Sequence, residues 1–474
     1  MGRGTAFPIA GYCYHPIRRT RRLEVEVGNR RQPVDHLRLP RMDVFAESAN
    51  GDGENGQAFR SGFVGLPSIA QLERMEEAPV SLVVTFEDGG EAKAQVGSVL
   101  LRPDLARPEV SSPSFPNGAH PAVAICMATY NPPPALLRRQ LDSIREQSHA
   151  NWVCVISDDA SDAEFFASLE REVEGDRRFV LARSESRLGF YRNFERALSM
   201  APQSADYVSL CDQDDYWHPN KLERLIGDMG DAQLIYSDAR VVDPGGKLIH
   251  SSYWTARRNN HTNFGSLVLA NSVTGAAALF RRDLLDDVLP FPIKLADAFH
   301  DHWLAIVALA RGRIAYLEEP LYDYVQHTGA VIGHSTANKR PRPVRQHLLD
   351  RLRRPGGGSR IVYYYNWYQQ LLFAQVLRLR CWERMKPAKR RVVRRILQAD
   401  SGVAGLFWLL GRRVRRLWGH NETLDRELFY AYALVRRRAI SLWTLGRSRP
   451  GRVLPRDASV PPAYANLSAG EDPR

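Results

Sequence analysis

At 474 residues, with 44% hydrophobic and 25% charged side chains, the chain is long enough for two or three domains and has the composition of an ordinary globular protein. Five scattered cysteines without paired spacing argue against a disulfide framework and a cysteine zinc site, and with no signal-peptide pattern they point to a reducing cytoplasm. The net charge of +12 is uneven: Thr336 to Arg474 hold 30 Lys+Arg against 9 Asp+Glu, leaving 35 against 44 for residues 1–335, so any polyanionic partner belongs to the C-terminal third.

Residues 1–112 read as all-β. Leu23, Val25 and Val27 alternate with charged residues and stop at Gly28-Asn29, a hairpin signal. Leu82, Val84 and Phe86 repeat the alternation, and Val96, Val99 and Leu101 supply another apolar run. Short strands divided by turn residues predict a small β-sandwich. Its role stays open between saccharide binding, partner recognition and support of the next domain, and its Arg18-Arg19 and Arg21-Arg22 pairs read as a solvated face. Glu47 to Gly56 reads as a loop, and residues 113–120 as a linker.

From residue 121 to 338 strands and helices alternate. Ala122–Met127, Trp152–Ile156, Phe179–Ala182, Tyr207–Leu210 and Gln233–Tyr236 are short apolar runs. Between them helices are expected from Pro132-Pro133-Pro134 to about Gln147, near Ala163–Val173 and Tyr191–Met200, and from Pro219 to Met229. This alternation predicts an α/β fold with a mainly parallel sheet covered on both faces. Ligands of such sheets bind beyond the carboxyl ends of the strands. Three polar clusters fall there: Thr129-Tyr130-Asn131, Asp158-Asp159 and Asp212-Gln213-Asp214-Asp215.

Residues 339–457 read as basic helices, with Tyr364, Trp367, Tyr368, Leu371 and Leu372 at helical spacing, and 458–474 as a disordered tail. Val403 to Leu410 is cut off by Arg412 and Arg413, short of the ~18 apolar residues of a spanning helix. Arginine beside Trp, Tyr and Phe fits helices lying on an anionic membrane surface, and equally a subdomain packed on the core with a solvated basic face. The segment carries no known nucleic-acid motif, so nucleic acid is not expected as a partner.

Three carboxylates crowded at the end of a buried strand repel one another, an arrangement that makes sense mainly around a cation. A hard divalent ion on carboxylate oxygens keeps sites for water and phosphate oxygens, which points to a diphosphate ligand. The alternative is a solvated acidic turn.

In this order the motifs resemble the family-2 inverting glycosyltransferases of the GT-A fold, over roughly Ala122 to Gly333. The resemblance rests on Val123 to Asn131, Ile156 to Ser161, Cys211 to Asp215, Val273 to Ala277, His300-Asp301-His302-Trp303, and Tyr324 to His327 followed by Val331-Ile332-Gly333. The last segment is similar to a bacterial subgroup of presumed rhamnosyltransferases of cell-surface polysaccharide assembly. The resemblance implies a Mg2+ or Mn2+ site at Asp214, with Asp212 on the ribose or a metal-bound water and Asp215 in support. It implies a dTDP- or UDP-sugar donor with Asp158, Asp159, Thr129 and Asn131 near its base and ribose, and Gly275 beside the sugar. Asp301 is the implied general base, where the family more often shows Glu-Asp than His-Asp. Asp158 and Asp301 read alternatively as helix N-caps, His327 as a metal ligand or a loop histidine, Gly275 as a turn glycine, and Arg187 and Asn193 as donor contacts or surface caps. Trp217 and Trp303 read as core, with a place facing a sugar ring as the alternative. The Gln-x-x-Arg-Trp motif of processive members is missing, so transfer of one or a few sugars to a saccharide or lipid-linked acceptor is expected. Other readings are an inactive carbohydrate- or membrane-binding scaffold and a sugar-phosphate nucleotidyltransferase.

Overall fold

The computed structural model describes residues 4–47, 57–70, 76–101, 114–116, 118, 120–255, 257–295, 298–327, 361–399 and 401–444. Outside those residues lie most of the loop expected at Glu47–Gly56, parts of the 113–120 linker, the segment Val331-Ile332-Gly333 and the tail 458–474.

The described residues of the N-terminal region form nine strands: β1 (Thr5–Ala6), β2 (Ile9–Tyr12), β3 (Thr20–Val27), β4 (Arg30–Pro33), β5 (His36–Leu39), β6 (Gly62–Gly65), β7 (Ser68–Ile69), β8 (Glu76–Phe86) and β9 (Glu91–Leu101). A short helix, α1 (Met42–Glu47), falls between β5 and β6. The strands form antiparallel sheets ordered β4-β3-β8-β9, β2-β6-β5 and β1-β7. Leu23, Val25 and Val27 are buried as their alternation requires. The run Val96-Val99-Leu101 differs from expectation, because β9 is an edge strand: Val96 is 53% exposed and only Leu101 is buried. Charge guards that edge, with Lys93 on Glu26 (2.5 Å) and Arg31 on both Glu26 (2.8 Å) and Glu91 (3.0 Å). In the Arg-rich start, Arg18 pairs with Asp88 (2.7 Å) and covers the Phe86 ring, and Arg22 pairs with Glu24.

The central sheet contains β10 (Val123–Thr129), β11 (Trp152–Asp158), β12 (Phe179–Arg183), β13 (Tyr207–Cys211), β14 (Tyr216–Trp217), β15 (Leu234–Val242), β16 (Leu248–His250), β17 (Ala278–Arg281) and β18 (Ile314–Val325). Its order is β12-β11-β10-β13-β17-β15-β18-β14, with β16 beside β15. The first four are parallel; antiparallel β17 enters between β13 and β15, and β15 and β18 are again parallel. The helices among them are α2 (Pro134–Arg145), α3 (Ala163–Val173), α4 (Phe190–Ser199), α5 (Lys221–Asp228), α6 (Phe264–Leu269), α7 (Leu285–Val288) and α8 (His300–Arg311). The expected α/β class is therefore present, with small antiparallel sheets before it and helices after it. β10 and β11 are apolar up to their polar C-terminal ends because both faces are covered, and Val123 to Met127 and Trp152 to Ile156 are wholly buried. Helix α8 begins earlier than expected. The chain is extended at Phe299, which stacks on Phe190 (5.6 Å), so Asp301 lies inside the first turn and is not the N-cap.

After residue 360 a short irregular helical stretch leads into α9 (Tyr368–Cys381), followed by α10 (Pro387–Leu397), α11 (Val403–Arg413) and α12 (Arg426–Thr444). Trp367, Tyr368, Leu372 and Phe373 are buried in the same core as the central sheet, and Phe373 meets Trp303 (5.2 Å). Arg380 fastens three parts of the chain. Its Nε donates to Gly4 O (2.9 Å), and its Nη1 donates to the carbonyls of Asp287 (3.0 Å), Val288 (3.2 Å) and Pro290 (2.8 Å). Burial lowers its pKa to about 10, a shift compatible with a guanidinium that stays charged. Arg380→Met leaves four carbonyls without that donor and should lower stability by about 3 kcal/mol, read as a denaturant midpoint shift without a change in slope.

Candidate functional site

Parallel register brings the polar strand ends together: Thr129 lies opposite Asp158, and Met127 opposite Cys211, immediately before Asp212. Beyond β10 and β11 the backbone is left-handed at Asn131 (φ 39°) and Ala160 (φ 56°), a conformation that non-glycine residues adopt only when their surroundings hold them. Here the hold is visible. Asn131 N donates to Ser161 Oγ (2.8 Å), Asn131 Nδ2 donates to Asp162 Oδ2 (3.0 Å), and Asp162 N donates to Asn131 Oδ1 (2.8 Å).

Asp158 is wholly buried at the centre of this lattice. It accepts from Ser161 N (3.0 Å), Ser161 Oγ (2.5 Å) and Thr129 Oγ1 (3.1 Å). The N-cap of α3 is Asp162, so Asp158 does not cap that helix. Asp159 turns elsewhere and accepts from Leu188 N (2.6 Å) and Gly189 N (2.9 Å), fixing the entry to α4. Asn193 is no surface cap. It is buried, donating from Nδ2 to Thr129 O (3.1 Å) and Ser157 O (2.9 Å) while Ser157 Oγ donates to its Oδ1 (2.6 Å), which clips β10 to β11. Arg187 lies over the Tyr130 ring (4.0 Å).

The acidic segment after β13 is tied to the first loop by Gln213. Tyr130 N donates to Gln213 Oε1 (2.8 Å), and Gln213 Nε2 donates to Tyr130 O (3.2 Å). Asp214 and His327 meet, Nε2 to Oδ2 at 2.8 Å. Asp215 is buried and points the other way; Val325 N donates to its Oδ1 (3.1 Å), and its Oδ2 has no hydrogen-bond partner among the described residues. Asp301 receives the backbone N–H groups of His302, Gly275 and its own residue, and among the described residues its buried Oδ1 likewise has no hydrogen-bond partner. Gly275 opens a tight turn against this carboxyl. A Cβ there would come within 3.0 Å of His300 Nε2 and 3.4 Å of Asp301 Cβ, so the glycine permits close packing on the α8 terminus. Trp217 and Trp303 are both core, Trp303 Nε1 donating to Val288 O (2.9 Å).

Sequence reasoning missed Lys221. This first residue of α5 is wholly buried; its Nζ donates to Ala276 O (2.6 Å) and sits 3.2 Å from the centroid of the Trp217 ring. Spacing had assigned it only to a helix start, and no local signal marks a lysine that folds beneath an acidic loop. Tyr253, Tyr322 and Tyr324 also adjoin the carboxylates, and burial first raises all three phenols, followed by Asp301 at Tyr253, Asp215 at Tyr322, and Tyr253 and then Asp215 at Tyr324.

The carboxyls share one electrostatic problem. Burial, then Asp214 and Asp301, raise Asp212, and burial, then Asp214 and Asp212, hold Asp215 well above the usual carboxylate range. Burial pushes Asp301 up to about 7 against the backbone N–H groups of His302, Gly275 and its own residue. Lys221 is pushed down to about 7 by burial, opposed by Cys211, Asp215 and Asp212. Near neutrality the site therefore lies close to the point where protons, an ammonium or an added cation decide its charge.

Two outcomes follow. Asp301 binds its proton more tightly folded than unfolded, so the wild type loses stability from this group as pH rises from about 4 to about 7. Asp301→Asn should gain stability relative to wild type across that window, by at most about 4 kcal/mol, in paired denaturation curves. Lys221→Met strips Ala276 O of its donor and the acidic cluster of its buried cation; melting curves should show a loss of about 3 kcal/mol.

Residues 124–289 match the family described as Glycosyl transferase family 2. The chain is 32% identical over 130 residues to the uncharacterized protein y4gI of Sinorhizobium fredii, covering 27% of this chain and 14% of that protein. It is 31% identical over 134 residues to the amylovoran biosynthesis glycosyltransferase AmsB of Erwinia amylovora, covering 26% of this chain and 44% of that protein. The matches thus span less than half the length of these relatives. Among solved structures, S. aureus TarS 1–349 in complex with UDP-GlcNAc is 14% identical, with 67% of this chain and 92% of that chain covered at a TM-score of 0.37. The match to the glycosyl transferase family 2 model runs over the strands and helices from β10 to the end of α7.

Proposed function

We propose that the protein is a metal-dependent, inverting and non-processive glycosyltransferase. It moves rhamnose or a similar hexose from a dTDP- or UDP-linked donor to a saccharide or lipid-linked acceptor of cell-surface polysaccharide assembly, on the cytoplasmic side. The observation that carries this reading is the convergence of Asp212, Asp214 and Asp301 around the end of β13, where burial and then the charges of Asp214 and Asp301 raise Asp212, and burial raises Asp301. The family match over residues 124–289 and the similarity to a glycosyltransferase named for amylovoran biosynthesis support it.

In the proposed reaction the acceptor hydroxyl loses its proton to Asp301 as its oxygen bonds to the anomeric carbon from the face opposite the diphosphate. The bond from that carbon to the diphosphate oxygen breaks, and the nucleoside diphosphate leaves with the electron pair. A carboxyl near pKa 7 suits a general base at neutral pH. Thr129, Asn131, Asp158 and Asp159 shape the loops for the base and ribose, the buried Asp158 acting through the loop geometry it fixes, and Gly275 leaves room near the sugar.

Mg2+ or Mn2+ fits the residues in a limited way. Among the described residues no three or more His, Cys, Asp or Glu side chains form a group able to hold a metal. Such an ion would therefore rest on Asp214 and Asp212 and complete its shell with phosphate oxygens and water. His327, its Nε2 2.8 Å from Asp214 Oδ2, would orient that carboxylate. When bound, the ion supplies charge neutralisation for the departing diphosphate.

A panel of nucleotide sugars, screened with and without Mn2+, should single out the donor by a rise in melting temperature. Asp301→Asn should then reduce transfer by about 10²–10⁴-fold, and Asp214→Ala should abolish metal-dependent transfer, both with unchanged circular dichroism. Unchanged transfer in both variants overturns the assignment and favours the nucleotidyltransferase reading. Absence of any donor binding favours the inactive scaffold.

A further inference from the structure

Outside the acidic site, the strongest unexplained feature is an apolar stripe near the C-terminus. Val403, Phe407, Leu410, Val414, Leu417 and Trp418 recur every three or four residues along α11 and the turn Val414–Trp418 that continues it. That spacing places them on one face. All six are exposed, Phe407 by 67%, Leu417 by 82% and Trp418 by 68%. Gly405 and Leu409, on the other side of α11, are buried. Six apolar side chains in a row in contact with water mark an interaction surface.

Its setting is strongly cationic. From Lys386 to Trp418 there are ten Lys+Arg and one acidic residue, Asp400. Arg413 and Arg415, beside the stripe, pair with Asp425 (3.1 Å) and Glu422 (2.9 Å), and Arg416 with Asp425, which anchors the stripe to the start of α12. Arg391, Arg394 and Arg395 on α10, which packs against α11, are exposed.

We propose that this face docks on an anionic lipid bilayer, with the stripe at the acyl boundary and the arginines among the headgroup phosphates. Charge selects this occupant, because a second copy of the chain would press one net-positive face against another. Length selects the mode: α11 has 11 residues, and no helix among the described residues is long and apolar enough to cross a membrane, so the contact is interfacial. Trp418 has the amphipathic ring that favours the headgroup level. The proposal uses no residue of the donor site and does not depend on the transferase reading.

The full chain is sedimented with phosphatidylglycerol-containing vesicles and with pure phosphatidylcholine vesicles. The wild type should bind the anionic vesicles, release with salt, and bind the neutral ones at least tenfold more weakly. Phe407→Ser/Leu417→Ser/Trp418→Ser should lose at least about tenfold in binding with an unchanged melting temperature, because the side chains are already exposed. Phe407→Ser alone provides a milder test should the triple variant melt early, with a severalfold loss expected. Arg391→Gln/Arg394→Gln/Arg395→Gln should weaken anionic binding alone. The proposal is overturned by a wild type that stays in the supernatant, by apolar variants that bind anionic vesicles undiminished, or by light scattering in which the stripe variants break an oligomer while vesicle binding is unaltered. Binding to RNA that displaces the vesicles but survives the apolar substitutions also overturns it.

Discussion

The constraint on which the site depends is the crowding of acidic side chains above a buried ammonium. Lys221 lies beneath the loop after β13, bonded to Ala276 O and resting on Trp217, while Asp212 and Asp215 draw its charge upward. Neither sign is comfortable in such surroundings: burial raises the carboxyls and lowers the amine. Each group is tolerated because the other is close. The arrangement joins α5, the Gly275 turn and the acidic loop through one side chain, so the site's geometry and its charge share a common support.

The scaffold around it is built for rigidity. Asp158 holds the second loop to Thr129 and Ser161, Asn193 clips β10 to β11, and Gln213 binds the Tyr130 backbone in both directions. These bonds hold the two left-handed residues, Asn131 and Ala160, that turn the loops at the sheet edge. Side chains held this way stay where a ligand would need them, and the entropy of ordering is lost on folding rather than on binding.

Much of the fold was legible because strand burial and helix periodicity are local signals. The helix Ala163–Val173 has the bounds the sequence implied, and the strand ends at Thr129, Asp158 and Asp212 fell where parallel pairing requires. What the sequence concealed depends on distant partners. Val96 looked like core until β9 proved an edge strand, and α8 starts at His300 after an extended Phe299, so that Asp301 lies in its first turn instead of capping it. Lys221, Asn193 and Gln213 are polar residues whose roles come from what folds over them. The helices after residue 360 read as either membrane-facing or core-packed, and α9 packs in the core while α11 turns an apolar edge outward.

The most direct test is anomalous diffraction at the manganese edge from crystals grown with Mn2+ and the donor identified by screening. The account predicts one strong peak within bonding distance of Asp214, beside Asp212 and the donor's diphosphate. A nucleotide sugar bound elsewhere, or bound across this edge with no metal near either carboxylate, would contradict it.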